Sequence, residues 1–289
     1  MEEKIPYRLV AFDLDNTTLY RGAMSESTKH ALRELKSKGV MTVAATGRHI
    51  SLIPDLIRKN KSIDYLICVT GSSIYQVETR KTTYLWQMTS KQAHLAVKAC
   101  KGLGGRLNLV TRKRALAEKA AFRSFVKSSA VNGQTRGKPS IKQVLRLAKM
   151  VLVSSLMDDA ASYLDAHPNA IVEKIDAFFD EDAQTSDAVR LLEEMGCFEV
   201  AQSPQYLEIT AKDCTKGNGL ARLYELLGFT ASDVIAFGDS GNDLSMADHV
   251  AMFVAMGNAE PAVLQCADRI APDVREDGFA SVVAEVFTI

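Results

Sequence analysis

The chain has 289 residues, with 35 Lys and Arg against 35 Asp and Glu, so its formal charge is zero; 47% of its residues are hydrophobic and 24% charged. This composition excludes a disordered or collagen-like chain and suits a globular protein, long enough for two domains at roughly 100–200 residues each. The charge balance argues against a general nucleic-acid binder, because affinity for phosphate draws on surplus Lys and Arg.

The five cysteines, Cys68, Cys100, Cys197, Cys214 and Cys266, are odd in number, widely spaced and without a CxxC pair. That usage predicts reduced thiols in a cytoplasmic protein, not a disulfide or zinc framework. Met1-Glu2-Glu3-Lys4 offers no apolar signal region, and no run of about 18 apolar residues predicts a membrane span, so no membrane partner is expected.

In chain order, Tyr7 to Phe12 reads as a compact apolar strand ending in the polar cluster Asp13 to Thr18. Ser25 to Lys38 has helical spacing (Ala31, Leu32, Leu35) and stops at Gly39. Val40 to Ala45 is a second buried strand, Ile50 to Lys59 a predicted helix despite Pro54, and Tyr65 to Val69 a third strand. Near the other end, Lys216 to Leu227 is a predicted helix, Val234 to Phe237 a strand, Asp243 to Ala247 a helix start and Val250 to Val254 another strand. Apolar strands separated by amphipathic helices imply an α/β fold, a doubly wound parallel sheet covered on both faces.

The middle differs. Thr82 to Gln87 alternates like a half-exposed strand, Lys91 to Lys101 is helical, and Arg106 to Val110 and Met150 to Ser154 read as strands. Asp158 to Ala166 and Ser186 to Met195 read as helices, and Phe198 to Val200 with Tyr206 to Ile209 as a hairpin across Ser203-Pro204. This pattern predicts an inserted α+β domain over 81–210, with 1–80 and 211–289 forming the core. Charge is segregated within the insert: from Lys98 to Lys149 there are fourteen Lys/Arg and one acid (Glu118), and from Asp158 to Glu199 twelve acids and two bases. One reading is two solvated faces that attract each other; the other is a basic patch for an anionic substrate or partner. The role of the basic segment 98–149 stays open between them.

The chemistry concentrates in two motifs. Asp13-Leu14-Asp15-Asn16-Thr17 follows the first strand. If the chain stays extended there, Asp13 and Asp15 point the same way. Adjacent carboxylates repel unless a cation neutralises them or one keeps a proton, so they suit Mg²⁺ or a division of labour between nucleophile and acid/base. The alternative is an Asx-type turn. The second motif, Gly238-Asp239-Ser240-Gly241-Asn242-Asp243, also follows a buried strand; alone it also reads as a helix N-cap at Asn242 or Asp243. In a parallel sheet the strand C-termini share one edge, where ligands bind, so both acid clusters would meet there. Thr46-Gly47-Arg48, after the second strand, offers a hydroxyl and backbone N–H groups for phosphate oxygens. Lys216 opens a helix and could meet an anion there, with Lys212 as its rival.

Taken in order, Asp-x-Asp-x-Thr, strand-Thr-Gly-Arg, Lys-Gly-x-x-Leu and Gly-Asp-Ser-x-Asn-Asp resemble the haloacid dehalogenase (HAD) superfamily. More narrowly they are similar to its Cof-type phosphatases, which carry a C2-type cap inserted between the second and third motifs. Val254 to Ala259 and Glu276-Asp277-Gly278 also look like that subgroup. The resemblance implies a Mg²⁺-dependent phosphatase acting on small phosphate monoesters, sugar phosphates first, through an aspartyl phosphate. It implies Asp13 as nucleophile and Asp15 as acid/base. It implies Mg²⁺ on Asp13, the Asp15 carbonyl, Asp239 and Asp243, and phosphate held by Leu14 N–H, Thr46, Gly47, Lys216 and Asn242. A small phosphorylated metabolite would then be the partner, with the cap setting specificity.

Departures from the pattern are Asn16 for the usual Gly, Thr70-Gly71-Ser72 where Asn-Gly-Ala is common, and Asp213-Cys214 before Lys216. His49 is expected at the surface, Trp86 in the first cap strand as packing, and Cys68 in the core. His30, His94, His167 and His249 show no ligand spacing for zinc. Two rival functions are a phosphotransferase of phosphohexomutase type using the same aspartyl phosphate, and a non-catalytic anion-binding protein.

Overall fold

The computed structural model describes residues 7–120 and 155–289. The expected strand Met150 to Ser154, most of the basic segment and residues 1–6 lie outside the described residues. The chain divides into two compact units, one formed by its flanks up to Leu85 and from Cys214, the other by Trp86–Asp213. The fold is α/β, with a largely parallel sheet in the first unit and an α+β arrangement in the second.

The first five strands are β1 (Leu9–Asp13), β2 (Met41–Ala45), β3 (Tyr65–Cys68), β4 (Ser73–Gln76) and β5 (Lys81–Tyr84). In the inserted unit follow β6 (Met88–Thr89), β7 (Arg106–Thr111), β8 (Ala115–Glu118), β9 (Ser155–Met157), β10 (Ile171–Phe178), β11 (Phe198–Ser203) and β12 (Tyr206–Ala211). The chain then supplies β13 (Val234–Gly238), β14 (Met252–Ala255) and β15 (Arg269–Ile270). The flanks build one sheet of order β15-β14-β13-β1-β2-β3-β4-β5. Pairing is parallel from β15 to β3, and β4 and β5 extend the edge antiparallel.

β1 is buried along its whole length, as expected for a central strand covered on both faces. Its side chains alternate. Leu9 and Ala11 join Val43, Ile67, Val234 and Ala236 in a cluster with Leu220, Leu223 and Tyr224 of the helix Lys216–Leu226. On the other face, Phe279 of the helix Gly278–Phe287 sets its ring edge-on to Phe12 (5.2 Å between centroids) and Phe237 (4.9 Å). Since Phe12 and Phe237 are register partners on β1 and β13, one aromatic ring fixes the two strands whose ends carry the acidic motifs. The helix Glu26–Ser37 is capped by Ser25, whose hydroxyl accepts from Thr28 N at 3.0 Å, and buries Ala31, Leu32 and Leu35 as its spacing predicts.

Three local expectations need correction. The segment 50–59 is a 3₁₀ turn (Ile50–Leu52) and a one-turn helix (Asp55–Arg58); Pro54 at the junction has no N–H to continue a helix and restricts Ile53 to extended backbone. The strand expected over Thr82 to Gln87 in the insert is instead Lys81–Tyr84, which pairs with β4 in the core sheet, and Trp86 lies beyond its end, outside any strand. β10 escaped the sequence pattern altogether because Glu173, Lys174 and Asp176 interrupt its apolar run, yet it is central to the second sheet, paired with β7 and β12.

That sheet has the order β11-β12-β10-β7-β8-β9, with β6 also on β10. The expected hairpin is present as β11 and β12, closed at Gln205 with φ +59°. Glu118, the one acid in the basic stretch, is buried and accepts from Leu107 N (2.9 Å), Ala160 N (2.8 Å) and Lys101 Nζ (2.6 Å). Lys101 also pairs with Asp159 (2.9 Å) and Arg106 with Asp180 (2.8 Å). Lys119 pairs with Asp158 as well, so three of the described bases meet the acidic segment, while Arg112 and Arg114 donate to Gln87 and Ser155 instead. None of the described helices is long and apolar enough to cross a membrane.

Truncating Phe279 to Ala should cost about 3–5 kcal/mol of stability, read as a lower urea midpoint at an unchanged slope.

Candidate active site

Parallel pairing brings three strand ends together. Asp13 closes β1 beside Ala45 of β2, which runs directly into Thr46, and Phe12 sits beside Phe237 of β13, which runs into Gly238 and Asp239. The acidic motifs therefore reach one sheet edge although they lie 226 positions apart in the chain.

After Asp13 the chain turns instead of staying extended. Leu14 O accepts from Leu19 N (2.7 Å) and Thr18 N (3.2 Å), and the Thr18 hydroxyl donates to Asp13 O (2.9 Å). Asn16 occupies a left-handed φ of +60°, a conformation asparagine tolerates because its side chain can bond locally. The argument from an extended chain thus does not apply to Asp15. Asp13 is buried, while the Asp15 side chain is 45% exposed and gripped by Arg48, whose Nε and Nη2 donate to its two oxygens at 2.7 and 2.5 Å.

On β13's side, Asp243 Oδ2 accepts from Asp239 N (3.0 Å), Ser240 N (3.0 Å) and the Ser240 hydroxyl (3.2 Å). This turn needs glycine at 238, because a Cβ there would lie 2.5 Å from Asp243 Cβ. Asp239 is held by the Thr17 hydroxyl, which donates to its Oδ1 at 3.0 Å. Lys216, the first residue of its helix behind the N-cap Thr215, is 1% exposed; its Nζ donates to Asp13 Oδ1 at 2.7 Å and Asp243 Oδ1 at 2.6 Å. Lys212 makes no such contact and lies near the end of the inserted unit.

Carboxylate oxygens of Asp13, Asp239 and Asp243 all lie within 4.8 Å of one another. Burial pushes the Asp13 carboxyl well above its ordinary range; Lys216 opposes this, and Asp243 and Asp239 add to it. Burial, followed by Asp243, pushes Asp239 up to about 7. For Lys216, burial disfavours the ammonium, but Asp13 and Asp243 more than offset it and raise its pKa. Three carboxylates thus face one fixed cation, and the excess negative charge is the condition that a divalent cation relieves. All the donors are hard oxygens, which fits a Mg²⁺-type ion and not a thiolate-seeking metal. The cluster could hold a metal ion.

The remaining predicted residues lie around these. Thr46 is buried and its hydroxyl accepts from Arg48 N at 3.2 Å; Gly47 is half-buried. Leu14 is buried, and Asn242 is half-buried with its Oδ1 accepting from the Ser240 hydroxyl at 3.1 Å. His49 is not at the surface: it is 5% exposed and its Nδ1 accepts from Ser51 N, capping the 3₁₀ turn. Cys68 is buried, as expected. Sequence reasoning used Arg48 only for its backbone N–H in the Thr46-Gly47-Arg48 loop and gave no role to its guanidinium or to the Thr17 and Ser240 hydroxyls, which nothing in one sequence marks as partners of distant carboxylates.

Residues 10–283 match the family model of haloacid dehalogenase-like hydrolases. The chain belongs to that family. Its curated relatives include the 5-amino-6-(5-phospho-D-ribitylamino)uracil phosphatase YcsE of Bacillus subtilis, 25% identical across 97% of this chain and 96% of YcsE. Another is an HMP-PP phosphatase of Cronobacter sakazakii, 26% identical across 89% of this chain and 86% of the relative. In fold the hydrolase is similar to the HAD subclass IIB sugar phosphatase BT4131, with a TM-score of 0.78 over 98% of this chain and 100% of that one at 22% identity.

The two kinds of carboxylate should separate in stability measurements. Asp243→Ala strands the buried Lys216 and three donors, and should cost about 3–5 kcal/mol in metal-free urea unfolding. Asp15→Asn weakens only a half-exposed pair and should stay within about 1 kcal/mol of the parent.

Proposed function

We propose that this hydrolase is a Mg²⁺-dependent phosphatase of small phosphate monoesters, sugar or polyol phosphates first, working through an aspartyl phosphate on Asp13. The observation that carries the reading is the gathering of Asp13, Asp239 and Asp243 around Lys216 Nζ at the end of β1. The substrate class is supported by the names of the relatives: BT4131 is a sugar phosphatase and the substrate of YcsE is a phosphorylated ribityl compound.

In this reading Asp13, Asp239, Asp243 and the carbonyl of Asp15 would hold the ion. Bound there, Mg²⁺ would neutralise charge on the phosphoryl oxygens and lower the repulsion between them and the carboxylates. The protein's own groups do the rest. Lys216 fixes the direction of the Asp13 carboxylate. A carboxylate oxygen of Asp13 attacks phosphorus, and the bond from phosphorus to the ester oxygen breaks. Asp15, whose two oxygens both accept from Arg48 in this structure, leaves that fork and takes up a proton, which it then gives to the leaving alkoxide. Asp15 then takes a proton from water as the water oxygen attacks the acyl phosphate, which releases phosphate and restores Asp13. Leu14 N–H, Thr46, Gly47, Asn242 and Lys216 hold the phosphoryl oxygens, the electrostatic share of the task. The inserted unit is assigned the choice of leaving group.

Purified protein with Mg²⁺ and a sugar phosphate or an aryl phosphate, and no acceptor alcohol, should release free phosphate. Chelation should abolish the release and added Mg²⁺ restore it. Asp13→Asn should lower kcat by at least about 10³-fold, and acid-quenched parent enzyme should carry a phosphoryl group on Asp13 by mass spectrometry. Full activity in Asp13→Asn, or transfer to an acceptor without net phosphate release, refutes the proposal.

A further inference from the structure

The turn after β3 contains Val69 at φ +50°, Thr70 at φ +57° and Gly71 at φ +109°, three consecutive residues in the left-handed half of conformational space. Two of them are β-branched, the side-chain type for which that region is a true outlier. Such conformations persist only where the surroundings over-determine them, and they cluster at functional sites. Here the surroundings are specific. Val69 N donates to Arg48 O (3.1 Å) and Thr70 N donates to Thr46 O (3.1 Å), so the turn ties down both ends of the Thr46-Gly47-Arg48 loop. On its other side it meets the helix that begins with Lys216. A Cβ on Gly71 would lie 2.1 Å from Thr215 O, and one on Gly219 would lie 3.0 Å from Gly71 Cα. The two glycines let backbone touch backbone at the N-terminus of that helix.

We infer that Val69-Thr70-Gly71 is a positioning element of the reaction: a strained strut that sets the separation between the Thr46–Arg48 loop and Lys216. The inference rests on the phosphatase reading given above. The strut acts through Lys216 on one side and through Thr46, Gly47 and Arg48 on the other. The left-handed turn is what folds both carbonyl-seeking N–H groups of Val69 and Thr70 toward the loop while it turns the bare face of Gly71 to Thr215.

The test is a double-mutant cycle on phosphatase turnover. Gly71→Ala should lower kcat by about 10-fold or more, because misplacement by about 1 Å can cost two orders of magnitude. Lys216→Met should lower it further, and the double variant should be no slower than Lys216→Met alone within about threefold, since the first change works through the second. Gly219→Ala, a milder wedge at the same contact, should show the same coupling and serves if Gly71→Ala does not fold. Multiplicative losses in both cycles overturn the inference. Absence of turnover in the parent protein overturns the phosphatase reading instead, and is told apart by the missing baseline.

Discussion

Everything at the sheet edge depends on one buried ammonium placed among three buried carboxylates. An isolated lysine almost wholly removed from water would lose its proton, and isolated buried carboxylates would keep theirs. Lys216 between Asp13 and Asp243 offsets part of both costs, at 2.7 and 2.6 Å. It cannot offset all of them, because Asp239 has no second ammonium and leans on the Thr17 hydroxyl. Such a cluster is poor economy for stability, since buried ion pairs seldom exceed an apolar replacement. Its arrangement makes sense as a site that holds negative charge in excess and at fixed positions.

The sheet had to be parallel for this to work, and that much was legible. Leu9–Phe12 and Val234–Phe237 carry unbroken apolar runs, and a strand buried on both faces pairs in a parallel sheet whose C-terminal ends share an edge. Asp13 stands directly after one such run, and Asp239 and Asp243 in the turn that follows the other, so their meeting could be argued from chain order. Lys216 was legible for a weaker reason, its place at a helix start. Asp15 shows the limit. The same spacing of two that suggested a shared direction with Asp13 is undone by the bend at Leu14, and its partner turned out to be Arg48, which comes from another strand's loop.

What stayed hidden has a common cause. β10 carries Glu173, Lys174 and Asp176 in a buried strand, and no period-two pattern can signal a lysine whose Nζ is held by Asp176 at 3.0 Å and Glu208 at 3.1 Å, with Glu208 on a neighbouring strand. Burial pushes the Asp176 carboxyl up, with Lys174 opposing, and the Tyr206 hydroxyl donates to it at 2.8 Å. Polar residues that solve one another's burial look like surface residues in a sequence. His49 misled in the same way: it is buried, with its Nδ1 accepting from the backbone N–H of Ser51.

The strain at Val69 and Thr70 belongs to the same logic. Left-handed β-branched residues cost of order 1–3 kcal/mol each, and against that cost stands the full burial of the Val69 side chain. The cost is tolerable because the rest of the core is ordinary: β1 and β13 are locked by Phe279 on one face and by Leu220 and Leu223 on the other. A rigid, conventional sheet thus carries at one edge three features that violate local preference: buried like charges, a half-exposed acid in an arginine fork, and a left-handed turn wedged against a helix end. Real proteins concentrate such violations where function demands them, and these three fall within one set of strand ends.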